Sequence, residues 1–191
     1  TVSIGAEESG SEQNALQILS AYGLNDRLVD TINLNYTDAA DQLKAGKIDA
    51  IVITVGIPSP VVTELAGECG IRLLNVDGTA AQRLLSSYNA YREVTIPAGT
   101  YPGQDADVQT VGVKAVLLAS DSLPAKQVQQ LTELLFSSRE ALEEQLGLAL
   151  DPETDAVEGV GIPFHAGAAA WYKQAGIRWT ESAGKSRESN E

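Results

Sequence analysis

Short apolar runs alternate with helical patterns through the first half of the chain. Val2 to Gly5 reads as a strand that enters a Glu-Glu-Ser-Gly-Ser turn. From Ser11 to Tyr22, Ala15, Leu16, Ile18, Leu19 and Tyr22 recur at helical spacing, and Gly23 is the stop signal. Thr31 to Asn35 reads as a second strand. Thr37 reads as the N-cap of a helix running through Lys44 and closed by Gly46. Ile48 to Val55 is a near-continuous apolar strand, followed by a helix over residues 61–67, a strand over 71–76 and a helix over 79–88. This βαβαβαβ order predicts an α/β lobe: a doubly wound, mostly parallel sheet with helices on both faces.

The rhythm breaks over Val94 to Asp107, where Pro97, Gly99, Pro102 and Gly103 interrupt an apolar context. A buried strand is expected over 111–119, then helices from Pro124 to about Phe136, from Arg139 to Leu146 and from Ala166 to Ala175. The second half therefore offers one convincing strand for several helices. Their apolar faces, such as Val128, Leu131, Leu134 and Leu135, need a sheet this half does not supply. Beyond Trp179 the sequence turns polar, and residues 180–191 are expected to be a disordered tail.

Charge removes several function classes. With 13 Lys and Arg against 26 Asp and Glu, the formal net charge is −13, which argues against nucleic acid, since phosphate contacts need clustered cations. No run of about 18 apolar residues is present, so no direct membrane insertion is expected. Cys69 is the single cysteine and reads as a small core thiol. His165 is the single histidine and reads as a structural residue near a helix start. One histidine and one cysteine leave no conventional zinc set and no spare histidine for a hydrolase triad. No metal, no cofactor and no catalytic residue is expected. The chain begins at Thr1 without a signal peptide and reads as a processed chain or a fragment.

Three places carry candidate binding chemistry. Ser9, Gly10 and Ser11 lie between a strand and a helix, where free N–H groups and the positive end of the helix dipole favour carboxylate or phosphate. The same serine is also an ordinary N-cap, and Glu7, Glu8 and Glu12 beside it would repel an anion. Val55 and Gly56 end a buried strand, where ligands of open α/β sheets collect, though a plain turn would read alike. Tyr101 and Gln104, in the Pro97–Gln104 loop, offer an aromatic body, a donor and an acceptor, or simply a rigid turn.

Read in order, these pieces resemble the TAXI family of solute receptors, which serve TRAP-type transporters. The match rests on Val2 to Gly5 with Ser9-Gly10-Ser11-Glu12, on Gly46-Lys47-Ile48-Asp49-Ala50, and on Val55-Gly56-Ile57-Pro58. It continues through Thr63-Glu64-Leu65-Ala66 and Ile71-Arg72-Leu73-Leu74. Its strongest part is the string Thr95-Ile96-Pro97-Ala98-Gly99-Thr100-Tyr101-Pro102-Gly103-Gln104-Asp105, and it closes on Ile162 to Gly167 with Trp171-Tyr172.

The resemblance implies a type II periplasmic-binding fold of two α/β lobes with the ligand between them. Residues 1–103 would be a complete ligand-binding lobe. Residues 104–179 would be the return strand and helices of an incomplete lobe, whose missing strands would precede Thr1. It further implies an extracytoplasmic, periplasmic receptor, not an enzyme, that captures a small anionic solute (a dicarboxylate or an acidic amino acid such as glutamate). TRAP-type permease subunits would be its partners. By the resemblance, Ser9, Gly10 and Ser11 would fall where the family's Ser-Gly-Thr loop faces the cleft, with Ser11 in place of the usual Thr, and Gly56, Tyr101 and Gln104 would match the family's strand-end and Tyr-Pro-Gly-Gln positions; with Val55 these are the expected ligand-binding residues. A ligand-sensing module of a signalling system, or an enzyme of related fold, would be compatible with the same elements.

Overall fold

The first strand, β1 (Val2–Ser3), is the centre of a three-stranded parallel sheet. It pairs with β2 (Thr31–Ile32) on one side and β3 (Ala50–Ile51) on the other, giving the order β2-β1-β3. Backbone bonds carry the ladder past these short cores: Val2 N donates to Asp30 O, Ile4 N to Ile32 O, Leu34 N to Gly5 O, and Val52 N to Ser3 O. The strands expected from Val2, Thr31 and Ile48 therefore form, but each is shorter than its apolar run.

Helix α1 (Gly10–Ala21) follows β1, α2 (Tyr36–Lys44) follows β2, and α3 (Pro60–Cys69) follows β3. With α4 (Gly78–Ser87), these make two packed pairs, α1 with α4 and α2 with α3. Alanines form much of the contact: Ala15, Ala39, Ala40, Ala66, Ala80 and Ala81 are all buried. Helix α2 begins two residues earlier than the sequence suggests. Asn35, not Thr37, is its N-cap, with Oδ1 accepting from Asp38 N at 2.9 Å. With the Asp38 N–H satisfied by Asn35, the helix opens two residues upstream and Thr37 falls inside its first turn.

The predicted strand over 71–76 does not form. Val76 N donates to Gln109 O and Gln109 N donates to the side chain of Asn75, so a side-chain amide replaces the ladder there. Conversely, the stretch read as irregular from Val94 begins inside a strand. β4 (Tyr91–Ile96) pairs antiparallel with β5 (Val108–Val113), with Val94 opposite Thr110 and Ile96 opposite Val108. The strand expected over 111–119 thus starts at Val108 and ends at Val113. The chain carries an antiparallel pair besides its parallel sheet.

The computed structural model describes residues 1–146, 150 and 153–179, so the tail expected over 180–191 lies outside the described residues. The chain divides into a unit of Thr1–Val113 and a second starting at Lys114. Residues 104–113, grouped by sequence with the second segment, go with the first because β5 pairs with β4.

The second unit holds α5 (Ala125–Ser137), α6 (Arg139–Leu146), a short α7 (Glu153–Ala156) that the sequence did not suggest, and α8 (Ala166–Gln174). Helices α5 and α8 pack together around stacked rings, Phe136 on Trp171 at 4.9 Å, with Tyr172 meeting Phe136 and Phe164 edge-on. Leu117, Leu118, Leu131 and Leu134 are exposed, and the first three line a largely apolar hollow of about 260 Å³. His165 caps α8, its Nδ1 accepting from Gly167 N at 3.1 Å.

Candidate ligand site at the carboxyl edge of the parallel sheet

Because β1, β2 and β3 run parallel and each leads into a helix, the N-termini of α1, α2 and α3 face the same edge of the sheet. Each brings unpaired amide donors and the positive end of a helix dipole. That edge is where α/β sheets receive ligands.

The α1 entrance holds the first of the segments expected to bind a ligand, Ser9, Gly10 and Ser11. Ser9 is the N-cap, and its Oγ accepts from Glu12 N at 3.1 Å, which leaves its own proton free to donate. Gln13 N bonds to Ser9 O. Among the described residues, no hydrogen bond engages the amides of Gly10 and Ser11. Two amides and one hydroxyl proton therefore converge at this helix end, a donor set suited to a carboxylate.

A close approach of helix to strand creates this geometry. Gly5 has φ +99°, and a Cβ there would stand 2.8 Å from Ser11 Cβ and 3.3 Å from Ser9 Oγ. Glu12 then turns back on the loop, Oε2 accepting from Glu8 N and Oε1 from Asn33 Nδ2, both at 2.7 Å. The Ser9-x-x-Glu12 spacing is that of a capping box, here with the acid reaching one residue before the cap. Glu7 and Glu8 are exposed, and Glu8 holds a left-handed φ of 59°. The carboxylate of Glu12 is tied into the loop rather than left over the free amides.

Polar side chains that the sequence reading did not single out tie this entrance to β3. Ser11 Oγ and the Tyr36 hydroxyl are 2.5 Å apart, and Tyr36 donates to Thr54 O at 2.8 Å. Asn14 Nδ2 donates to Thr54 Oγ1 at 3.2 Å. The Tyr91 hydroxyl donates to Asn14 Oδ1 at 2.8 Å and lies 2.7 Å from Gln17 Oε1. Thr54 leads directly into Val55 and Gly56, so the first two expected segments sit on one hydrogen-bonded edge. Val55 itself is half-buried against the cluster of Val62, Ala66 and Tyr101, while Gly56 is exposed. The Ile57–Pro58 peptide is cis.

Tyr101 and Gln104, expected to offer polar groups to a ligand, both make hydrogen bonds within the chain. The Tyr101 ring is 5% exposed, and its hydroxyl accepts from Ser59 N at 3.0 Å, at the N-cap of α3. Gln104 Nε2 lies within 3.1 Å of the carbonyls of Ile96, Pro97 and Ala106, and its Oε1 accepts from Tyr101 N. A loop with no ladder of its own must satisfy its backbone somewhere, and these two side chains supply that. They hold the start of α3 in place and leave its entrance to backbone alone.

Burial of Tyr91, with a smaller contribution from Tyr88, raises its pKa above the ordinary 10.0, and burial does the same for Tyr172 in the second unit. The folded state therefore holds these protons more tightly than the unfolded one. The stability this represents is complete below about pH 10 and is lost as the pH rises toward the folded pKa values. Denaturant melts should give a level midpoint from neutral pH to about pH 10 and a declining one above. A midpoint that climbs through that window would contradict the burial of both phenols.

Among the described residues no group of three or more His, Cys, Asp or Glu is arranged to hold a metal, and no described helix is long and apolar enough to cross a membrane. Compared with known families, residues 1–176 match the NMT1-like family.

Proposed function

Since the chain belongs to the NMT1-like family, which is of the periplasmic binding type, we propose that it is an extracytoplasmic receptor for a small organic anion, delivering it to a TRAP-type permease. One observation carries the anion reading: the unengaged amides of Gly10 and Ser11 and the free hydroxyl proton of Ser9, gathered at the α1 entrance on the sheet's carboxyl edge. The guest is a dicarboxylate or an acidic amino acid, its carboxylate seated on those donors, with Val55 and Gly56 flanking it. Tyr101 and Gln104 act one step back by fixing the loop and the start of α3. The TRAP assignment draws on the Thr95–Asp105 string and its resemblance to TAXI receptors. The protein binds and releases; no step of catalysis is assigned to it.

Titration calorimetry tests this reading with succinate, glutarate and glutamate against the uncharged diamides of succinate and glutarate. Saturable heats are expected for the anions and none for the amides. Ser9→Ala removes one donor to a charged group and should weaken anion binding by roughly tenfold or more. Silence from every anion in the panel would end the proposal.

A further inference from the structure

Helix α4 opens on Asp77-Gly78, the only place in the sequence where glycine follows an aspartate or an asparagine. Gly78 holds φ +65°, a conformation that a side chain would strain, so the turn into the helix needs glycine. Having no Cβ, glycine also leaves its own amide nitrogen less shielded than that of any other residue. Asp77 is exposed, and although it occupies the N-cap its carboxylate makes no capping bond. Among the described residues no hydrogen bond engages the Gly78 N–H either, as the first position of a helix dictates. A free carboxyl group and a free, unshielded amide are thus neighbours along the chain.

The Tyr22 hydroxyl restrains that pair. It accepts from Asp77 N at 2.8 Å and donates to Asp77 O at 3.1 Å. Asp77 O and Gly78 N belong to one rigid peptide plane. Turning the nitrogen over the carboxyl group therefore carries the oxygen away from Tyr22 and costs a hydrogen bond.

We propose that Asp77 is a site of spontaneous isoaspartate formation and that Tyr22 is its brake. The Gly78 nitrogen attacks the carbon of the protonated Asp77 carboxyl group. The N–C bond forms, the C–OH bond breaks, and the hydroxyl leaves as water with the amide proton. A second water then opens the cyclic imide at either carbonyl, restoring aspartate or routing the main chain through the side chain. No oxidant or other reagent is consumed. The isomer lengthens the backbone by one carbon where α4 begins, and the Tyr22 hydroxyl can no longer serve both Asp77 groups. The α1–α4 pair, joined also by Arg83 Nη1 donating to Ala21 O at 3.3 Å, loosens with it.

The experiment ages the full chain at neutral pH and follows the tryptic peptide Leu73–Arg83. The isomer has an unchanged mass, so it is read as a separately eluting peak that an isoaspartyl methyltransferase labels. A labelled fraction that grows with time is expected in the unaltered chain. Tyr22→Phe should raise its rate by about threefold or more, as loss of one neutral hydrogen bond warrants. If Tyr22→Phe does not fold, the unaltered chain in guanidinium chloride supplies the unrestrained rate, which should exceed the folded rate by at least the same factor. No label at Asp77 in the folded chain, under conditions that convert the unfolded one, overturns the site. Equal rates with and without the Tyr22 hydroxyl, or a rate in guanidinium no faster than the folded one, overturn the brake.

Discussion

Gly167→Ala should break the second unit apart. Gly167 is buried in the first turn of α8, and an added Cβ would stand 2.1 Å from the Ala125 carbonyl oxygen and 2.8 Å from Gln129 N. Both are main-chain atoms of the α5 segment, so no side chain can swing aside to admit the methyl group. The helices must separate, and the Phe136–Trp171 stack, built on the same two helices, must separate with them. Overpacking a tight contact costs about 1–3 kcal/mol and sometimes more. A backbone obstruction belongs at or beyond the upper end of that range, which for a small unit is a melting-point loss on the order of 10 °C. Tryptophan fluorescence should show Trp171 moving to a wetter environment. Gly161→Ala is the matched control, since a Cβ there meets nothing within 4 Å, and should melt as the unaltered chain does. Equal melts for the two variants would mean that α8 is not seated on α5.

Much of this architecture was legible because it is local. The Arg139–Leu146 helix has the bounds its periodicity suggests, and α1 is displaced by a single residue. Caps were harder: Asn35 and Thr37 are both competent, and only the geometry chooses. That choice has consequences, because a helix beginning at Tyr36 brings its hydroxyl within reach of Ser11. The apolar run at 71–76 misled because hydrophobicity does not say what a segment pairs with, and Leu74 is in fact 66% exposed.

The candidate site divides along the same line. Ser9, Gly10 and Ser11 carry a helix-entrance signal within consecutive residues, and the structure places them at one. Tyr36, Thr54 and Asn14 meet across gaps of 18 to 40 residues, which no pattern along the chain encodes. Tyr101 and Gln104 show the opposite limit. Their chemistry suits a ligand and a self-contained turn equally, and only the hydrogen-bond partners reveal which groups are already engaged.

Gly5→Ala should cost both fold and binding, through two separate effects at one position. The backbone there has φ +99°, outside even the left-handed well where other residues occasionally rest, and strain of this kind costs about 1–3 kcal/mol. The methyl group would also sit 2.8 Å from Ser11 Cβ and 3.2 Å from Glu12 N, so relieving the clash means lifting the α1 entrance off the end of β1. That movement drags on the bonds of Gly5 O with Leu34 N and Asn33 Nδ2, which join the loop to the β2 side of the sheet. The melt should fall first. At a temperature where the variant is still folded, its affinity for anionic guests should remain at least roughly tenfold lower, because displaced donors lose the convergence that charge-assisted bonds require. Reduced stability with full affinity would mean that the loop relaxes without moving Gly10 and Ser11, and the carboxylate seat would then have to lie elsewhere on the edge, at the entrances of α2 and α3.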